Sequence, residues 1–172
     1  MENALVAIIS TVLIILSSVI MMMSTLQSTS KMAASWQVMN TEFNNIRTTA
    51  ISVTANDYTG GTIVLSVNND GQCNLYDFSE WDVIAQFENG GATYLGFAAG
   101  TIAGTGQWAV TGIEMGHGQP EIFDPGILNP NEHLMLQLNL DSELSPGQSA
   151  RITVSTPSGV KAQVTVTRSL PI

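Results

Sequence analysis

Charged residues are scarce in this sequence, and basic ones are the rarest. Asp, Glu, Lys and Arg make up 11% of the 172 residues, against about 25% in a typical soluble domain. Five basic residues stand against 14 acidic ones, which gives a net charge of −9. That balance argues against nucleic acid as a partner, because phosphate backbones are bound by basic surfaces. The surface must therefore consist largely of Thr, Ser, Asn, Gln and Gly, which suits close packing against copies of the chain or sugar decoration of hydroxyls.

Residues that carry out catalysis are also few. Cys73 is the only cysteine, so an internal disulfide is excluded, and in a predicted strand it is expected to be a small buried side chain. The only histidines are His117 and His133, and neither lies at the spacing of a metal site or a catalytic triad. His117, between two glycines, is predicted to be a solvated loop residue. The sequence therefore predicts neither an enzyme nor a cofactor.

Residues whose oxygen atoms could bind Ca²⁺ are present, but their spacing gives only a weak indication of a site. Asn68 and Asp70 are the candidates, with Asp77, Glu80 and Asp82 further along the chain. Their spacing is not that of an EF-hand, and a turn explains the Asn-Asp-Gly sequence equally well. We therefore expect no metal site, and keep Asn68 and Asp70 only as weak candidates.

The most informative feature is an apolar run near the N-terminus. Ala4 to Leu26 form 23 residues without a charge, a glycine or a proline, and about 20 apolar helical residues span a bilayer. A cleaved signal peptide fits poorly, because no basic residue precedes the run and no small-x-small site closes it. For a permanent anchor, Lys31 and Arg47 would place the rest of the chain in the cytoplasm. That conflict disappears if a short basic leader has been removed before Met1; the sequence leaves open whether Met1 is the initiator or the mature N-terminus.

Small hydroxyl residues recur in this run with a period of seven. Ser and Thr come as three pairs, and a period of seven keeps one side of a helix towards a partner helix. Small hydroxyl residues permit close approach between apolar helices. We predict that this hydroxyl stripe is a helix-packing interface, although Ser and Thr also occur by chance in membrane helices. It comprises Ala7, Ser10, Thr11, Ile14, Ser17, Ser18, Met21, Ser24, Thr25 and Ser28.

The helix is predicted to continue beyond the membrane-length run. From Lys31 to Ala50 there is no glycine or proline, and large apolar residues recur at helical spacing. A helix of about 45 residues would be roughly 65–70 Å long. We name these residues the apolar stripe and expect them to pack against the rest of the chain or against neighbours. They are Met32, Trp36, Met39, Phe43 and Ile46.

After residue 49 the hydrophobic period changes to that of β-strands. Eight or nine short strands, separated by turns rich in Gly, Pro and Asn, predict an antiparallel β-sandwich or barrel of the immunoglobulin-like kind. The fold class is thus α+β, with a helical segment 1–49 and one head domain 50–172. The predicted strands are 51–55, 63–67, 73–78, 81–87, 93–97, 107–113, 132–140, 149–155 and 161–167.

These features together resemble a known group of proteins. The residues that carry the resemblance are the N-terminal helix, Leu65-Ser-Val-Asn-Asn-Asp-Gly71, Leu75-Tyr-Asp-Phe78, Trp81-Asp-Val83, Asn129-Pro-Asn-Glu132, Ser145-Pro-Gly147 and Val154-Ser-Thr-Pro-Ser-Gly-Val160. The chain looks like a member of the archaellin and archaeal type IV pilin-like superfamily, which includes stator-type proteins of the archaellum. Leu5 stands where bacterial type IV pilins usually carry Glu, which favours the archaellin side, while Glu2 is unexplained.

The resemblance implies a subunit of a surface filament. Such a subunit is processed by a prepilin-type peptidase, waits in the cytoplasmic membrane, and is assembled by an ATPase and its platform proteins. Its helix then enters the core of a homopolymer, with the heads outside, and the filament would be an archaellum rotated for swimming. The alternatives are an adhesive pilus subunit, a stator-type protein anchored singly while its sandwich binds a surface layer, and a membrane-tethered enzyme.

Overall fold

The computed structural model describes residues 2–116 and 118–170. The chain falls into two compact units, Met1–Phe43 and Asn44–Ile172. One helix, α1, covers Glu2–Thr48 and is 47 residues long, which confirms the predicted continuation. At about 1.5 Å per residue it measures roughly 70 Å. It is long and apolar enough to cross a membrane, by length and composition alone.

Nine strands make up the second unit. They are β1 (Ile51–Thr59), β2 (Thr62–Asn69), β3 (Asp82–Phe87), β4 (Ala92–Phe97), β5 (Gln107–Met115), β6 (Gln119–Pro120), β7 (His133–Asn139), β8 (Ser149–Ser155) and β9 (Lys161–Thr167). They form one sheet in the order β1-β2-β7-β5-β4-β3-β8-β9, with β6 on β5. The two end strands lie side by side without a ladder, so the sheet nearly closes into a barrel or sandwich. The predicted α+β class is thus confirmed.

The alternating pattern of the strands fills the interior. On β2 and β7 the inward residues are fully buried and face each other across the ladder, as in the pair Leu65 and Leu136. Trp81 and Trp108 are the largest buried side chains. The rings of Trp108 and Phe97 pack edge to face, with their centroids 4.9 Å apart. Leu134, Leu136, Leu138 and Leu140 alternate along the chain and are all buried.

Two predictions about the strands were wrong. Residues 73–78 do not form a strand, because only Leu75 makes a bridge, to Leu128, before Asp77 turns into a left-handed conformation and a 3-10 helix, Phe78–Glu80, begins. The sheet is also not wholly antiparallel, since β4 and β5 pair in parallel over two residue pairs. The connection from Ala98 to Gly106 loops back so that β5 starts beside the end of β4.

Two turns show why the strands end where they do. Gly60 and Gly61 both have positive φ, 58° and 83°, as the tight β1–β2 hairpin requires. The β8–β9 turn runs from Thr156 to Gly159, with Gly159 N donating to Thr156 O at 2.9 Å. The Asn-Asp-Gly sequence at Asn69 to Gly71, for which a turn is one explanation, is a loop in which no residue has positive φ, and it lies against the end of α1.

Candidate assembly interface

Over the membrane-length run, from Ala4 to Leu26, α1 presents apolar side chains on every side. In the single chain each described side chain from Asn3 to Arg47 is exposed, among them Leu5, Ile14, Met21 and Val19. A helix that is apolar all round belongs in lipid or in a helical core, not in water. The membrane-length run therefore requires a partner around its whole circumference.

The hydroxyl stripe carries a local hydrogen-bond pattern that bears on its role. Five of its six paired hydroxyls donate to the carbonyl oxygen four residues earlier, as in Ser17 Oγ to Leu13 O at 2.7 Å and Ser18 Oγ to Ile14 O at 2.8 Å. Such bonds satisfy the hydroxyl within its own helix. These five side chains can therefore lie in lipid without an unmet donor and can equally lie against another helix.

The apolar stripe lies beyond the length that a bilayer core can cover. Trp36 is 66% exposed, and Met32, Met39, Phe43 and Ile46 are exposed as well. About 20 residues of helix fill the hydrocarbon core, so α1 cannot be covered by lipid along its full length. Neighbouring copies, one of the two partners predicted for this stripe, are able to cover it.

The last turn of α1 is built into the second unit. Gln72 N donates to Thr48 O at 2.8 Å and Asp70 N to Ala50 O at 2.9 Å. The carbonyl groups at a helix end lack partners within the helix, and this loop supplies one. Cys73, predicted as a buried strand residue, is half-buried in the loop, with Sγ 2.8 Å from Thr48 Oγ1.

A buried asparagine holds this loop. Asn69 is fully buried; its Nδ2 donates to Cys73 O at 2.8 Å and Leu128 O at 3.0 Å, and its Oδ1 accepts from Gly71 N at 3.1 Å. Three bonds from one side chain tie together β2, the loop after it and the loop before β7. Sequence reasoning missed this role, because the three partners are distant in sequence or are backbone groups.

The weak metal candidates meet each other directly. Asn68 Nδ2 donates to the Asp70 carboxylate. Within residues 2–116 and 118–170 no three His, Cys, Asp or Glu side chains cluster closely enough to hold an ion. The prediction for His117 falls outside the described residues.

The head surface is acidic and carries one exposed apolar pair. Twelve of the 14 acidic residues follow residue 49. Ile122 and Phe123, the latter 86% exposed, stand next to Glu121 in a loop. Phe123 N and Asp124 N donate to Glu121 Oε1, and these bonds lower the pKa of that carboxyl. Sequence reasoning missed the pair; the flanking Pro120 and Pro125 were the available signal.

Solved structures of archaellum components are similar to the chain. The archaellum periplasmic stator protein FlaG from Sulfolobus acidocaldarius is 21% identical, with a TM-score of 0.53, and the match covers 69% of this chain and 99% of FlaG. The archaeal flagellin FlaB1 from Methanocaldococcus jannaschii is 12% identical, with a TM-score of 0.53, over 72% of this chain and 93% of FlaB1. The archaeal flagellum of Methanospirillum hungatei is 14% identical, with a TM-score of 0.52, over 95% of this chain and 93% of that one.

These similarities show that the chain has the fold of archaellum components, which are structural proteins. No protein-family model matches the sequence. No curated protein matches it either.

Proposed function

We propose that this chain is the structural subunit of an archaellum-type helical filament used for swimming. Before assembly it resides in the cytoplasmic membrane through α1, after processing by a prepilin-type peptidase. An assembly ATPase and its platform then move α1 from lipid into a core made of sister helices. The heads form the acidic outer surface.

The observation that carries this proposal is that exposed apolar side chains continue along α1 beyond the membrane-length run, from Met32 to Ile46. A single-span anchor needs about 20 residues, whereas α1 has 47. In an isolated anchor the apolar stripe would stay in water, at a cost of about 1.5–3 kcal/mol for each large side chain. Sister helices cover the membrane-length part and the apolar stripe together, so a polymer accounts for the whole helix.

The extent of the structural similarity also supports the filament. The match to the Methanospirillum archaellum covers 95% of this chain, so it extends over most of α1. The match to FlaG covers 69% of this chain, and the remainder is large enough to hold all of α1. The match to the flagellin FlaB1 is also limited to 72% of this chain, so the support comes from the assembled filament, whose match extends over both helix and head.

A stator-type role is the second candidate. It is favoured by the match to FlaG, which covers 99% of that chain at 21% identity. In that role α1 would anchor one molecule in lipid while the head acts outside the membrane. Such a helix has no packing partner, so the hydroxyl stripe would be without a function.

The filament role and the stator role predict different results when larger side chains are placed in the hydroxyl stripe. We expect Ser17→Leu with Ser18→Leu to abolish filaments or to leave short, irregular ones, because the leucines prevent close approach of helices. Ser17→Ala with Ser18→Ala is the matched control, since it changes the same two residues, removes the same hydroxyls and keeps the side chains small. Electron microscopy of surface filaments is the measurement. Normal length and straightness in the Ser17→Leu/Ser18→Leu variant would contradict the packing role and favour the stator.

A further inference from the structure

Two charged residues in α1 have no partner on their own helix. No Asp, Glu, Lys or Arg lies between Asn3 and Ser30, and none lies between Lys31 and Glu42. Charges three or four residues apart on a helix pair with each other, and those positions are uncharged around both residues. The neighbours are Gln27, Ser28, Ala34 and Ser35 for Lys31, and Val38, Met39, Asn45 and Ile46 for Glu42. In the described part of the chain the one ion pair joins Arg168 to Glu143.

Both charges continue the hydroxyl stripe. Lys31 follows Ser24 by seven residues, just as Ser24 follows Ser17 and Ser17 follows Ser10. The parallel series Ala7, Ile14, Met21, Ser28 and Ser35 arrives at Glu42. At about 100° per residue, Lys31 lies about 20° around the axis from Ser24, and Glu42 about 40° from Ser28. A cation and an anion therefore lie on the side of α1 that the last members of the hydroxyl stripe occupy.

The geometry of the helix relates the two charges to each other. Eleven residues make about three turns, so Lys31 and Glu42 differ by only about 20° around the axis and are about 16.5 Å apart along it. Arg47 follows Glu42 by five residues and points about 140° away, so it lies on a different side. Lys31 and Glu42 are too far apart to pair within one helix, yet both side chains leave the helix in nearly the same direction.

We propose that in the filament Lys31 of one copy forms an ion pair with Glu42 of the neighbouring copy. The inference rests on the proposed function and adds the register of its helices. Adjacent parallel helices would be displaced by about 16.5 Å, the distance that brings one charge opposite the other. A charge enclosed among apolar helices is tolerated only when it is paired, so a wrong displacement leaves two unpaired charges. The pair thus selects one register from the many that apolar contacts alone permit.

Charge exchange tests the pair. The variants are Lys31→Glu, Glu42→Lys and the two combined, in cells that produce no other copy of the chain. Lys161→Glu is the matched control, since it makes the same charge change at an exposed residue of the head. The measurement is the amount of filament sheared from cells, with the chain retained in the membrane fraction measured alongside.

Each single variant is expected to lower the amount of filament at least about tenfold, because two like charges then face each other. The double variant is expected to restore filaments, and the control to equal the wild type. Filaments at wild-type level in either single variant, or no recovery in the double variant, would overturn the ion pair while leaving the filament role intact. A wild-type chain that forms no filament at all would overturn both.

Discussion

Gly71 lies directly against the end of α1, so close that a Cβ atom there would come within 2.6 Å of the carbonyl oxygen of Thr48. The backbone nitrogen of Ala50 would be equally near, at 2.6 Å. Both are main-chain atoms and cannot move aside as a flexible side chain does. The absence of a side chain at residue 71 is therefore what allows the loop to reach the last carbonyl groups of the helix.

Gly71→Ala is expected to destabilise the second unit by about 2–4 kcal/mol, because the added methyl group must displace backbone. The measurement is thermal unfolding of the full chain in detergent, followed by near-ultraviolet circular dichroism. Gly126→Ala is the control, since nothing lies within 4 Å of a Cβ atom at that glycine; it should change stability by less than about 0.5 kcal/mol. Equal stability of the two variants would refute the close approach.

Asn69→Ala is expected to cost about 2–4 kcal/mol, because a buried backbone group of Leu128 and half-buried ones of Cys73 and Gly71 lose their partner. Asn74→Ala, at an exposed residue of the same loop, should be nearly neutral. Urea unfolding of both variants measures the difference. A loss below about 0.5 kcal/mol for Asn69→Ala would mean that its three bonds are replaced by water.

The Glu121 loop is expected to respond to acid. Backbone N–H groups of Phe123 and then Asp124 bond the ionised carboxylate and hold its pKa below the ordinary value of 4.5. Because the folded pKa is the lower one, the stabilisation is present above the unfolded pKa and is lost as pH falls through the folded pKa. Carbon-13 NMR of the Glu121 carboxyl, in the folded chain and in urea, gives both midpoints. Coincident midpoints would show that the two bonds do not persist in solution.

Trp36→Gln is expected to weaken the filament without weakening the head. Trp36 is exposed in the single chain, so its replacement removes burial only in the polymer, by about 2–3 kcal/mol per subunit. The temperature at which filaments dissociate, read by light scattering, should fall, while the unfolding temperature of the head stays constant. If the dissociation temperature is unchanged, the apolar stripe is not covered by neighbours.

Much of the fold follows from local periodicity. The 3.6-residue pattern through Phe43 and the two-residue alternation of Ile63, Leu65 and Val67 depend only on nearby residues, and both predictions are confirmed. The alternation at Cys73 and Leu75 had the same appearance and was misleading. There the left-handed backbone of Asp77, at φ 52°, ends the extended chain after a single bridge.

Features that depend on distant segments were not predictable. The parallel pairing of Gly96 with Gln107 results from the route of a long connection. The contact of Gly71 with Thr48 requires the helix end and the loop to meet in space. The hydroxyl stripe stays a prediction, because the contacts of an assembling helix are made with other copies of the chain.

The most direct measurement is cryo-electron microscopy of material sheared from cells that express this chain, together with mass spectrometry of its N-terminus. The account predicts filaments whose repeating subunit is this chain, with α1 in a continuous helical core and the heads outside. Recovery of the chain only from detergent-solubilised membranes, as a single molecule that never polymerises, would contradict it.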